Sequence, residues 1–189
     1  METKKWRKIL FLDIDGVLAS TDFLRKSGGK FIDKEKVALL NKLKPYDVEV
    51  VISSSWGFNE DTVKELTECG LELSIIGGIE HFHKDWLCRG TEIAKWLDDT
   101  FGDYDVFTGK VYSYTDEDCE YVILDDDVDM LMCQKDNYIR VDSYEALTEE
   151  DINKAIDIFE RKHVDSNETL TEEDINKAID ILFERKNKK

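Results

Sequence analysis

The sequence predicts an α/β domain built on a mainly parallel sheet, and three observations predict it. Short apolar runs of strand length alternate with amphipathic segments of helix length. The runs are continuous rather than alternating, as in strands covered on both faces. Three of them end in clustered polar groups, in FLDIDG, VVISSSW and YVILDDD, and in parallel sheets ligands gather beyond the carboxyl ends of the strands.

The elements follow in order. Lys8–Ile14 (KILFLDI) is the first buried strand. Asp33–Leu43 carries Val37, Leu39, Leu40 and Leu43 as a helical stripe, opened by acidic residues and expected to stop before Pro45, the chain's single proline. Val48–Ile52 is a second strand, running into Ser53-Ser54-Ser55. Asn59–Glu68 is a helix ending at Gly70, and Leu73–Ile76 a weaker strand ending at Gly77-Gly78. Thr91–Phe101 is amphipathic, with Ile93, Ala94, Trp96, Leu97 and Phe101 near one face. Tyr121–Leu124 and Tyr138–Val141 are the last two strands.

The tail holds an internal repeat. LTEEDINKAIDIFERK begins at Leu147 and LTEEDINKAIDILFERK at Leu170, a period of 23 residues. Each copy opens on an N-cap-like Thr with acidic residues and then runs an apolar face, Ile152, Ala155, Ile156 and Phe159 in the first. Two copies are too few for a solenoid. The first is expected to close a domain of residues 1–165, with 166–189 its duplicate.

Composition narrows the function classes. Of 189 residues 41% are hydrophobic and 11% aromatic, which suits a folded domain with a real core. A formal charge of −17 repels polyanions, so groove-type binding to nucleic acid or anionic lipid is disfavoured, although a local pocket for one nucleic-acid end is not. The basic METKKWRK start is followed by too few apolar residues for a signal segment, and no run reaches the roughly 18 residues of a membrane span. Cys69, Cys88, Cys119 and Cys133 form no CxxC, as expected of free thiols in a cytoplasmic protein.

Asp13 and Asp15 pose the chemical problem. Two apart on an extended segment, their carboxylates point the same way and repel. A cation bound with a third carboxylate, Asp126 or its neighbour Asp125, would compensate them, and sparse oxygen-only ligation suits Mg²⁺. Beside such a cation one aspartate can attack phosphorus while the other moves a proton. Phosphoryl transfer then needs donors around the equatorial oxygens, which serine hydroxyls, backbone N–H groups and an Arg or Lys supply.

These stretches resemble the haloacid dehalogenase-like (HAD) superfamily. FLDIDGVL resembles its first motif, VVISSSW its second and YVILDDD its fourth, in the family's order, over roughly Lys8 to Lys162. FLDIDGVL, SSSW, RGTEIAKWL and ILDD together look most like the HAD domain associated with Swiss Army Knife RNA-repair proteins. The resemblance implies a Rossmann-like three-layer sandwich with a helical C-terminal extension. It makes Asp13 nucleophile and metal ligand, and Asp15 the general acid/base whose backbone carbonyl also meets the metal. An aspartate at Asp15 marks phosphatases rather than dehalogenases or transport ATPases. The second motif falls on Ser53 or Ser54; the third-motif cation is Arg89 or Lys84, with Arg89 preferred.

Neither interval between motifs holds a full cap domain; only Ala19–Ile32 has room for a flap. An uncapped site in the superfamily implies a large phosphorylated substrate, such as a protein or nucleic-acid end, or a cap from another chain. The expected function is a Mg²⁺-dependent phosphomonoesterase acting through an aspartyl-phosphate. The alternatives are a nucleic-acid end phosphatase in RNA or DNA repair and a non-catalytic, metal-stabilised interaction module. His81, His83 and Cys88 leave a tetrahedral zinc site one ligand short. For Trp56 and Phe58, core packing is favoured over stacking on a base or sugar.

Overall fold

Lys5–Leu12 forms β1, the middle strand of the sheet in a computed structural model that describes residues 5–28, 31–80, 88–113 and 117–161. It is followed by α1 (Thr21–Lys26), α2 (Lys34–Leu40), β2 (Val48–Ile52), α3 (Glu60–Glu68) and β3 (Ser74–Gly78). Then come α4 (Arg89–Phe101), a hairpin of β4 (Gly102–Tyr104) and β5 (Val111–Ser113), β6 (Glu117–Asp125), β7 (Tyr138–Arg140) and α5 (Glu149–Phe159). Five strands pair in the order β3-β2-β1-β6-β7, all parallel. The strand order reverses between β1 and β6, and in sheets of this order ligands bind beyond the carboxyl ends of the two strands flanking that point.

Alternation along each strand sends side chains to two separate cores. Leu10, Leu12, Val50, Ile52, Val122 and Leu124 face one layer, against Val37 and Leu40 of α2, Leu66 of α3 and Ile152, Ala155 and Phe159 of α5. Ile9, Phe11, Val51, Tyr121 and Ile123 face the other, against Ile93, Leu97 and Phe101 of α4 and Tyr104 of the hairpin. The result is the three-layer, Rossmann-like α/β sandwich that the sequence predicts. Among the described residues no cap domain interrupts it. An 11-residue helix such as α5 is marginal alone. A reciprocal cap between Thr148 and Asp151 starts it, and burial of each large apolar side chain adds about 1.5–3 kcal/mol.

The differences from the sequence reading have local causes. The helix from Asp33 gives way at Asn41 to a 3₁₀ segment, Asn41–Tyr46, which carries the chain through Pro45 instead of stopping before it. So short a segment loses little by the missing N–H. The flap interval holds α1, capped by the Ser20 hydroxyl accepting from Phe23 N–H at 3.0 Å. β3 extends through Gly77 and Gly78, and a Cβ on Gly78 would lie 2.5 Å from Cβ of Phe58. β1 ends at Leu12 rather than Ile14, because the next residues form a tight turn with the Leu18 N–H on the Ile14 carbonyl, 2.8 Å. The duplicate helix of 166–189 lies outside the described residues, as do His81, His83 and Lys84. The four cysteines form no disulfide, and no helix among the described residues is long and apolar enough to cross a membrane.

Candidate active site

Three strand ends converge on one spot. The backbone N–H of Asp13 donates to the Leu124 carbonyl of β6 (3.0 Å), and that of Ser53 to the Leu12 carbonyl of β1 (2.8 Å). These bonds extend the parallel ladder by one residue and fix where the first polar side chains emerge. Asp13, Ser53, Ser54 and Asp125 are all buried. Asp13, Asp125 and Asp126 each offer a carboxylate oxygen, and the three oxygens lie within 4.8 Å of one another.

Gly16 makes the cluster possible. The chain turns there with φ +73, and a Cβ would lie 2.3 Å from Oδ2 of Asp126. Both the left-handed backbone and the approach of the carboxylate require glycine.

The electrostatics of the cluster are costly. Burial pushes the Asp13 carboxyl up to about 7, against the pull of Arg89 and a hydrogen bond from the Ser54 hydroxyl. Burial, then the charge of Asp13, pushes Asp125 up to about 7 as well, although its Oδ1 accepts the Asp127 N–H at 2.9 Å. Burial also raises Asp126. Oδ2 of Asp125 is buried with no hydrogen-bond partner among the described residues, and Nε of Arg89 lies 3.8 Å from it. An all-oxygen cluster with an orphaned buried carboxylate oxygen fits a hard divalent cation such as Mg²⁺.

Arg89 is the first residue of α4, and a lock on that helix start places it. Its backbone N–H donates to the Asp129 carboxylate (2.9 Å), while Gln134, fully buried, donates Nε2–H to the Gly90 carbonyl (2.8 Å) and accepts from Leu131 N–H (2.9 Å). Gly90 is indispensable to the lock, since a Cβ would sit 2.4 Å from the Leu131 nitrogen. Held this way, the guanidinium is mostly buried beside Asp125, and its Nη1 has no hydrogen-bond partner among the described residues. Oγ of Ser53 is likewise buried without one. Two buried donors without acceptors beside a carboxylate cluster suit an anionic group with several oxygens.

The predicted residues therefore meet in large part. Asp13, Ser54, Arg89, Asp125 and Asp126 form one electrostatic unit, and Ser53 adjoins it. Asp15 stands apart: its side chain is exposed, its carboxylate is not one of the clustered three, and Oδ2 accepts Nε1–H of Trp56 at 3.0 Å. The core-packing expectation holds for Trp56 and fails for Phe58. Trp56 is half-buried and packs against the core, its N–H is committed to Asp15, and its ring meets the exposed Phe31 edge-on, centroids 6.0 Å apart. Phe58 is 51% exposed. Sequence reasoning missed Gln134, which together with Asp129 places Arg89; the one available signal was a lone glutamine after an apolar strand.

A family model described as "HAD domain in Swiss Army Knife RNA repair proteins" matches residues 9–152. No curated protein and no solved structure matches the chain.

Proposed function

The chain belongs to the family of HAD domains in Swiss Army Knife RNA repair proteins, and on that premise we propose that it is a Mg²⁺-dependent phosphomonoesterase working through an aspartyl-phosphate. The observation that carries the reading is a set of buried polar atoms without hydrogen-bond partners among the described residues: Oδ2 of Asp125, Nη1 of Arg89 and Oγ of Ser53. The first wants a cation and the others want an anion, and a phosphate ester with its counter-cation supplies both.

Asp13, Asp125 and Asp126 would hold the cation, which when bound screens the carboxylates and the charge on the phosphoryl oxygens. Arg89 and the serine hydroxyls of Ser53 and Ser54 orient the phosphoryl group. A carboxylate oxygen of Asp13 forms a bond to phosphorus as the ester P–O bond breaks, and the leaving oxygen takes a proton from Asp15. Asp15 then takes a proton from water as the water oxygen bonds to phosphorus. The aspartyl P–O bond breaks, releasing inorganic phosphate and restoring the Asp13 carboxylate.

The test is phosphate release from an aryl phosphate, with and without Mg²⁺, for wild type and Asp13→Asn. The expected result is metal-dependent turnover in the wild type and a loss on the order of 10³-fold or more in the variant. Turnover that survives Asp13→Asn would refute covalent catalysis by Asp13. Stabilisation by Mg²⁺ without phosphate release from any ester would favour the interaction module instead.

The family description favours a second, narrower reading, a phosphatase for the end of an RNA strand. The uncapped crevice admits an end, whereas the charge of −17 disfavours contact along a strand. A 5′- or 3′-phosphorylated oligoribonucleotide should then be a better substrate than the corresponding mononucleotide, with only a weak dependence on salt. Equal rates for the two would argue for a small-molecule ester.

A further inference from the structure

We propose that Trp56 is a positioning residue for the acid/base step: its indole N–H holds Oδ2 of Asp15, leaving Oδ1 to hand the proton to the departing oxygen. The inference rests on the phosphomonoesterase reading and adds a residue to it. Asp15 lies two residues from Asp13, outside the three clustered carboxylates, but its charge bears on one of them, Asp126. A carboxylate drawn onto a cation held by that cluster could not carry a proton. The contact from Nε1 of Trp56 to Oδ2 of Asp15, 3.0 Å, engages that oxygen with a different neighbour, so Oδ1 is the one left for the leaving group. An indole N–H only donates and does not ionise in water, so it restrains Asp15 without bringing a second titrating group.

The indole is itself anchored. The Trp56 carbonyl accepts from Nδ2–H of Asn59 at 2.8 Å and from the Thr62 hydroxyl at 3.4 Å, which ties the residue to the start of α3. The Gly57 N–H donates to the Ser54 carbonyl at 2.9 Å, making a tight turn out of the same serine motif that reaches Asp13. Phe31 covers the ring edge-on. The segment SSSW thus supplies a hydroxyl to the nucleophile and an N–H to the acid/base from one short rigid loop, and such second-layer support is what holds catalytic groups within productive reach.

A merely structural tryptophan and a positioning one differ in how their loss depends on the leaving group. Dinitrophenolate departs without a proton, whereas phenolate needs one. We would measure kcat/KM for 2,4-dinitrophenyl phosphate and phenyl phosphate with wild type, Trp56→Phe, Asp15→Asn and the double variant. The Mg²⁺-induced rise in Tm would report that each variant still forms the cluster. The expected result for Trp56→Phe is a loss on the order of tenfold or more on phenyl phosphate, with dinitrophenyl phosphate changed less than about twofold. In the Asp15→Asn background the same substitution should cost nothing further on phenyl phosphate. Equal losses on both esters, no loss on either, or full additivity with Asp15→Asn would overturn the role of Trp56. A wild type inert towards both esters would overturn the phosphomonoesterase reading and this inference with it, and the wild-type arm separates that failure from the others.

Discussion

Replacing Asp125 with asparagine should make the metal-free protein more stable, not less, at pH 8. Asp125 is 1% exposed, and burial together with the charge of Asp13 raises its carboxyl from 3.8 to about 7. A raised carboxyl keeps its proton longer in the folded chain than in the unfolded one, so between these two values the folded state binds more protons. Stability therefore falls as pH rises from about 4 to 7, and the full cost persists above 7. A shift of that size corresponds to about 4 kcal/mol. Asparagine removes this cost and relieves Asp13, but it forgoes the attraction of Arg89 and buries an amide. The net gain should be on the order of 2 kcal/mol, or about 4–8 °C in Tm for a domain of this length. Asparagine keeps the acceptor for the Asp127 N–H, so the loop need not move. Thermal melts in EDTA from pH 4 to 8 should show the two proteins diverging through that window. Added Mg²⁺ should reverse the order, since at one hundred times its Kd a cation gives the wild type about 2.7 kcal/mol that the variant lacks. A variant less stable than wild type in EDTA at pH 8, or an equal response to Mg²⁺, would refute the account of the cluster as a strained cation site.

Gly16→Ala should lower stability by about 1–3 kcal/mol, from the strain at φ +73 and the 2.3 Å approach to Asp126. It should also weaken Mg²⁺ binding, because Asp126 must move; calorimetric titration checks the second effect separately from the melt. Arg89→Lys keeps the charge but loses the planar fork, so inhibition by inorganic phosphate should weaken by roughly tenfold while the fold survives. An unchanged inhibition constant would remove Arg89 from the phosphate site.

The legible parts of the molecule are those where burial leaves a trace in composition. β1, β2 and the apolar stretch of β6 are covered on both faces and read as continuous apolar runs, and the polar residues that interrupt them mark the crevice. α1 has no buried residue, so it carries no apolar stripe to read. The strands of the β4–β5 hairpin are three residues each, too short for a period. Placement of Arg89 depends on Gln134 and Gly90, 44 residues apart, and the role of Trp56 on a partner 41 residues away. Such contacts follow from how the layers stack and leave no local pattern.

The charge balance of the crevice connects these observations. Three clustered carboxylates lie beside one guanidinium, so with all three ionised, above about pH 7, the cluster holds a surplus of two negative charges where, on the proposed function, a phosphate dianion enters. Without compensation the site would repel its own substrate, and an acidic surface would add to the repulsion. One divalent cation would cancel the deficit, and the three clustered oxygens are compatible with holding one. On the proposed function the buried donors on Arg89 and Ser53 would meet an anion once the carboxylates are neutralised. Asp15 must then stay out of the cation's reach to remain free to carry a proton. An indole N–H is well suited to keeping it there, because it restrains the carboxylate without adding a charge to a site whose balance depends on counting them.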